Sequence, residues 1–172
     1  MQPDTPVASD RPDPMASHAG SLDNPGIRIP PPVIYIVVFL GSLWLQSRFP
    51  LPFLAPPVAL GVGAALVATG TLFVATAIPT MLHGYGTLST AGPSAALVAQ
   101  GPYRYSRNPM YLGLLLLYSG FACVFAVVWA LPLLIPLIVY TRVGVIAPEE
   151  RYLARAFGDA YRAYQARVRR WL

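Results

Sequence analysis

Two stretches without a single charged residue, 58–82 and 109–141, limit what this chain can become. A helix crosses the hydrocarbon core of a bilayer in about 20 apolar residues. In lipid, only helices and closed barrels satisfy their own backbone groups. The first stretch supplies one span. The second is too long for one and reads as two, 109–128 and 129–146, the latter kinked near Pro132 and Pro136. Almost nothing separates these two, so they form an antiparallel hairpin. A shorter run, 33–46, gives a fourth span, and the proline-rich segment 48–57 connects it to the next. The chain is 55% hydrophobic and only 11% charged. A soluble domain carries about a quarter charged residues, so much of this surface faces lipid.

The expected fold is all-α and integral to a membrane, with about four transmembrane helices followed from Pro148 by a C-terminal amphipathic cytoplasmic helix. On that last helix Leu153, Phe157, Tyr161, Tyr164, Val168 and Trp171 follow one another at steps of three or four. Arg151, Arg155, Asp159, Arg162 and Arg167 take the opposite face, and Gly158 bends or interrupts it. Residues 1–32 are rich in Pro, Ser and Asp without apolar periodicity, and read as a disordered tail. They lack the basic start and apolar core of a secretory signal. Residues 33–172 form one domain. Gly61, Ala65 and Thr69, together with Gly63 and Gly70, suit close helix contact and permit a homodimer.

All 12 basic residues are Arg, and six lie in the last 22 positions. Beside apolar spans, such a segment holds to anionic lipid headgroups rather than to nucleic acid. The 83–108 loop carries Arg104 and Arg107, against one Arg in 48–57 and none near 128. The positive-inside rule therefore places that loop and both termini in the cytoplasm. Cys123 is alone, which excludes a disulfide framework. His18 and His83 have no companions, and no metal site is expected.

Functional residue types concentrate in 101–113. Asn108-Pro109 is a helix start, with Asn as N-cap and Pro at the first helical position. A helix N-terminus is a ready anion site, and Arg104, Arg107, Tyr103, Tyr105 and Tyr111 surround it. An interfacial belt anchoring a span end explains the same residues. The second cluster is Glu149-Glu150 after Pro148. Two carboxylates at a span end are costly unless solvated or used, yet they also suit a helix start through its dipole. The hairpin brings both clusters to one membrane face, where they suit a ligand with both anionic and cationic parts.

From about Thr87 to Leu172 the chain resembles the isoprenylcysteine carboxyl methyltransferase-like and phospholipid methyltransferase superfamily. The resemblance rests on Leu97-Val98-x-x-Gly101-Pro102-Tyr103-Arg104-x-x-Arg107-Asn108-Pro109-Met110-Tyr111-x-Gly113. It continues through Glu149-Glu150-x-Tyr152-Leu153 and Phe157-Gly158-x-x-Tyr161-x-x-Tyr164. It implies a multi-pass methyltransferase of the bacterial inner membrane that uses S-adenosylmethionine without a dinucleotide-type fold. By the same resemblance, Tyr103, Arg104, Arg107, Asn108, Pro109, Tyr111, Glu149 and Glu150 bind the cofactor. Glu150 is the candidate base, and Arg162 and Arg167 are candidates to orient an acidic substrate group. The acceptor is a lipid or small hydrophobic molecule arriving sideways from the membrane. Two other readings are a non-catalytic membrane accessory protein of the same fold and an NADPH-dependent sterol-reductase-like enzyme.

Overall fold

The computed structural model describes residues 30–86 and 99–172. The expected tail, up to residue 29, and positions 87–98 of the loop expected in the cytoplasm lie outside the described residues. Among the described residues every regular element is helical. Helix α1 is Pro31–Arg48, α2 is Pro56–Gly86, α3 is Pro109–Val124, α4 is Ala130–Tyr140 and α5 is Ala147–Arg167. A 3₁₀ turn, Gly101–Arg104, precedes α3, and a π-helical segment, Thr141–Ile146, joins α4 to α5.

Proline sets most of the starts. Pro31 and Pro32, Pro56 and Pro57, and Pro109 occupy the first helical positions, where the missing N–H would find no intrahelical partner. The first helix thus begins two residues earlier than the apolar run suggested. The second runs on through 83–86, residues expected in the loop. The third ends at Val124 rather than 128, because residues 125–129 turn the chain. Ala126 takes a positive φ of 51° there, and Val127 is buried with Ala122 and Ala130.

Among the described residues two helical runs are long and apolar enough to cross a membrane, Pro56–Leu82 and Ala130–Arg167, the latter interrupted at Gly158. Helix α3 is apolar but shorter. Large apolar side chains point outward along them: Leu72 is 63% exposed and Ile135 67%. Leaving such residues in water forgoes about 1.5–3 kcal/mol each, a pattern that suits a lipid surround.

The helices alternate in direction. Tyr35, early in α1, hydrogen-bonds Thr141 just past α4 at 2.9 Å. At the opposite end, Trp129 Nε1 donates to the Phe49 carbonyl at 2.8 Å, tying the α3–α4 turn to the α1–α2 connection. The core between α1, α3 and α4 holds Tyr35, Tyr118, Ala122, Val127 and Leu137. Helix α2 packs against α3 through four glycines. A Cβ on Gly63 would lie 2.9 Å from the Gly120 carbonyl oxygen, and one on Gly70 2.8 Å from that of Gly113. The small face of α2 is therefore two faces. Gly63 and Gly70 are used within the chain, while Gly61, Ala65 and Thr69 stay exposed.

Pro148 explains the π segment. It has no N–H, and its ring would strike the carbonyl of Gly144 in a regular α-helix. The wider turn relieves this: the Ala147 N–H bonds the Arg142 carbonyl, five residues back. The helix therefore continues into α5 without a break, and the extra residue re-aims the faces of α5. The chain does break at Gly158 (φ 50°, ψ −123°), a conformation that favours glycine. The residues after it turn back towards the start of α3.

Candidate functional site

Between residues 30 and 172 the chain has three acidic residues, Glu149, Glu150 and Asp159. The π segment and the first turn of α5 deliver the two glutamates to the start of α3. Val145 and Ile146 are fully buried against Tyr111, which fixes the register.

The glutamates have different partners. Tyr111 donates its hydroxyl to Glu149 Oε2 at 3.0 Å. Burial raises the Glu149 pKa above the ordinary 4.5; the Tyr111 hydrogen bond opposes the shift and the charge of Glu150 adds to it. Glu150 is held by two guanidinium groups. Arg170 approaches bidentately, Nε to Oε1 at 3.0 Å and Nη2 to Oε2 at 2.5 Å. Arg107 Nη1 lies 3.4 Å from Oε1. The side chains of Arg107 and Glu150 are 12% and 11% exposed. A buried charge pair persists only with such geometry and further hydrogen bonds.

Asn108 does not cap α3. Its side chain makes no capping bond; Nδ2 instead donates to the Arg170 carbonyl at 3.0 Å. The C-terminal segment folds over this position and takes the Asn108 side chain as a donor. The Arg107 N–H donates to the Arg169 carbonyl at 3.0 Å, and the Asn108 N–H to Ser106 Oγ at 3.1 Å. Trp171 packs on the cluster of Tyr111, Val145 and Ile146.

The second half of α5 closes the remaining side. Tyr161 and Tyr164 are buried, and burial raises both phenols, Tyr164 to about 12. Tyr164 donates to the Tyr103 carbonyl at 2.8 Å, and Tyr161 lies beside Arg107. The aromatic stripe of the last helix is therefore packing that clamps the 101–107 segment.

The sequence-derived candidates thus fall into two groups. Arg107, Asn108, Pro109, Tyr111, Glu149 and Glu150 converge, and Tyr103 borders them through its carbonyl. Arg104 is exposed. Arg162 and Arg167 are not brought to the cluster: Arg162 pairs with exposed Asp159, and Arg167 bonds its own helix at Ala163. Their place on the polar face of α5 follows from the helical spacing that put Tyr161 and Tyr164 inside. Ser106 and Arg170 escaped the sequence reading. Ser106 is fully buried but carries no local motif. Arg170 lay among six arginines that composition alone cannot separate.

A protein-family model described as phospholipid methyltransferase matches residues 58–160, more than half of the chain. The chain belongs to the phospholipid methyltransferase family. No curated protein and no solved structure matches it. The family match takes in α2, α3, α4, the π segment and both glutamates. It stops before Tyr161, so the clamp formed by Tyr161, Tyr164 and the last five residues lies beyond it, as α1 lies before it. Membership of this family, with two helices fit to cross a membrane, makes this a membrane-associated chain of methyltransferase type.

Proposed function

We propose that the chain is an S-adenosylmethionine-dependent methyltransferase acting on a lipid acceptor at the cytoplasmic face of a bacterial inner membrane, with four spans (α1 to α4) and α5 in the cytoplasm. The observation that carries this reading is the convergence of Arg107, Asn108, Tyr111 and Glu149 at the start of α3, inside the segment that the family model matches.

The donor set suits the cofactor. Arg107 Nε is buried and makes no hydrogen bond among the described residues. A buried donor left unpaired is rare in folded proteins and fits the cofactor's carboxylate. Glu149, with Tyr111 as its hydrogen-bond partner, fits the ammonium or the ribose hydroxyls. When bound, S-adenosylmethionine supplies an electrophilic methyl group. The chain's own work is to hold, align and dry the site, and such positioning contributes several kcal/mol of barrier reduction. An acceptor that arrives protonated needs a base. Glu150 has both oxygens engaged by arginines, so Glu149, raised by burial, is the better proton acceptor.

The acceptor's hydrocarbon has a route. An apolar groove of about 390 Å³ runs between α1 and α3, lined by Tyr35, Phe39, Leu114, Leu117, Phe121 and Phe125 among others. Leu114 is three residues beyond Tyr111, so the groove begins one helical turn from the site. It supports lateral access from lipid.

The test is binding of S-adenosylhomocysteine to the purified chain and to Asn108→Ala and Glu149→Gln. The reading expects micromolar-range binding that weakens in both variants. Binding that neither change affects would remove the proposed site.

A further inference from the structure

Five residues beyond α5 reach back over the site, and one of them, Arg170, bonds to both of the elements that form it. The Arg170 guanidinium takes both oxygens of Glu150, on α5. Its own carbonyl accepts from Asn108 Nδ2, at the start of α3, at 3.0 Å, and from Ser106 Oγ at 3.4 Å. The carbonyl beside it, on Arg169, accepts the Arg107 N–H. One residue thus bridges the two elements that converge on the candidate cofactor site, by side chain to one and by backbone to the other.

We infer that Arg170 is a positioning residue: by fixing Glu150 and Asn108 together, it sets the geometry in which Arg107 and Glu149 meet the cofactor. This rests on the methyltransferase reading above. Three features give it physical content. First, Glu150 follows Glu149 directly, so a carboxylate locked in place at 150 fixes the helix turn that aims 149 at Tyr111. Second, Arg107 shares Glu150 with Arg170; without Arg170, the Arg107 guanidinium is drawn further onto that carboxylate and its buried Nε moves with it. Third, the Asn108 side chain is oriented by the strap, to which Nδ2 donates, and makes no capping bond to α3. In metal sites, residues that orient a ligating group matter about ten- to a hundredfold in affinity when removed, and the same scale is expected of Arg170.

The strap also explains why the aromatic stripe continues past the helix. Val168 leaves the helix in an extended conformation, which lets Trp171 reach the Tyr111 cluster and hold the Arg169 and Arg170 carbonyls against residues 106–108.

The experiment is a double-mutant cycle on the full chain, reading S-adenosylhomocysteine affinity for wild type, Arg170→Gln, Glu150→Gln and the double variant, with Arg170→Lys as the conservative change. Hydrogen exchange at the Arg107 amide is read on the same samples without ligand. Arg170→Gln should weaken binding by about ten- to a hundredfold and expose the Arg107 amide. The double variant should be no weaker than either single, because Arg170 acts through Glu150. Arg170→Lys should recover part of the affinity. Losses that simply add, or wild-type affinity in Arg170→Gln, overturn the inference while leaving the methyltransferase reading in place. A wild-type chain that binds no S-adenosylhomocysteine overturns that reading and the role of Arg170 with it.

Discussion

Replacing Gly113 by alanine tests the seam that holds α2 to the rest of the chain. A Cβ at this position would sit 2.7 Å from Val74 Cγ2, 2.9 Å from the Gly70 carbonyl oxygen and 3.1 Å from Phe73 Cβ. The valine can turn, but a backbone carbonyl inside a helix cannot. Restoring ordinary contact requires the two helices to part by about half an ångström, a gap that already forfeits about a quarter of each dispersion contact along the seam. Overpacking of this kind typically costs about 1–3 kcal/mol. Because α2 packs mainly on α3, little else resists the separation. Gly61 is the control: a Cβ there meets nothing within 4 Å, and alanine should be neutral or slightly stabilising. Unfolding in detergent, followed by circular dichroism, should give a clearly lower midpoint for Gly113→Ala and an unchanged one for Gly61→Ala. Equal midpoints for the two variants would refute the close-packed glycine seam. The readout bears on the site as well, since Gly113 lies two residues from Tyr111 and any shift of α3 moves that hydroxyl relative to Glu149.

The site itself gives two further expected outcomes. Burial holds the folded Glu149 pKa above 4.5, so the folded chain keeps a proton that the unfolded chain has lost. Stability from this group therefore falls as pH rises from 4.5 through the raised value, with Tyr111 and Glu150 as the facing groups, and Glu149→Gln should flatten that part of the stability profile; an unchanged slope would count against the assignment. Gly158→Ala should destabilise the α5 docking by about 1–3 kcal/mol through backbone strain, seen as faster hydrogen exchange in 159–167, even though a Cβ there has free space.

Much of this fold was legible because lipid-facing helices need only length and apolarity. The uncharged runs located α2, α3 and α4, and the step of three and four residues placed Tyr161 and Tyr164 inside and Arg162 and Arg167 outside. Gly158 was readable as an interruption, since glycine inside an amphipathic pattern is costly. The π segment was not foreseen, although its cause, Pro148 following an apolar span, is in the sequence; the relief could equally have been a kink. The Asn108 cap failed for a non-local reason. Asn-Pro is a sound local start signal, but the Asn108 side chain is oriented by donating Nδ2 to the Arg170 carbonyl and makes no capping bond. Choosing Arg170 among the C-terminal arginines needed the turn at Gly158 and the extended exit at Val168, neither of which has a periodic signature. The same contacts separated the glutamates, one clamped by arginines and one facing a tyrosine.

The claim that this site transfers methyl groups is tested most directly by incubating the purified chain with methyl-labelled S-adenosylmethionine and a membrane lipid extract, then reading the lipids by mass spectrometry. The account predicts a labelled lipid species with wild type and a large loss of label with Glu149→Gln. Equal labelling by the two, or no labelled lipid from a wild-type chain that binds the cofactor, would contradict it.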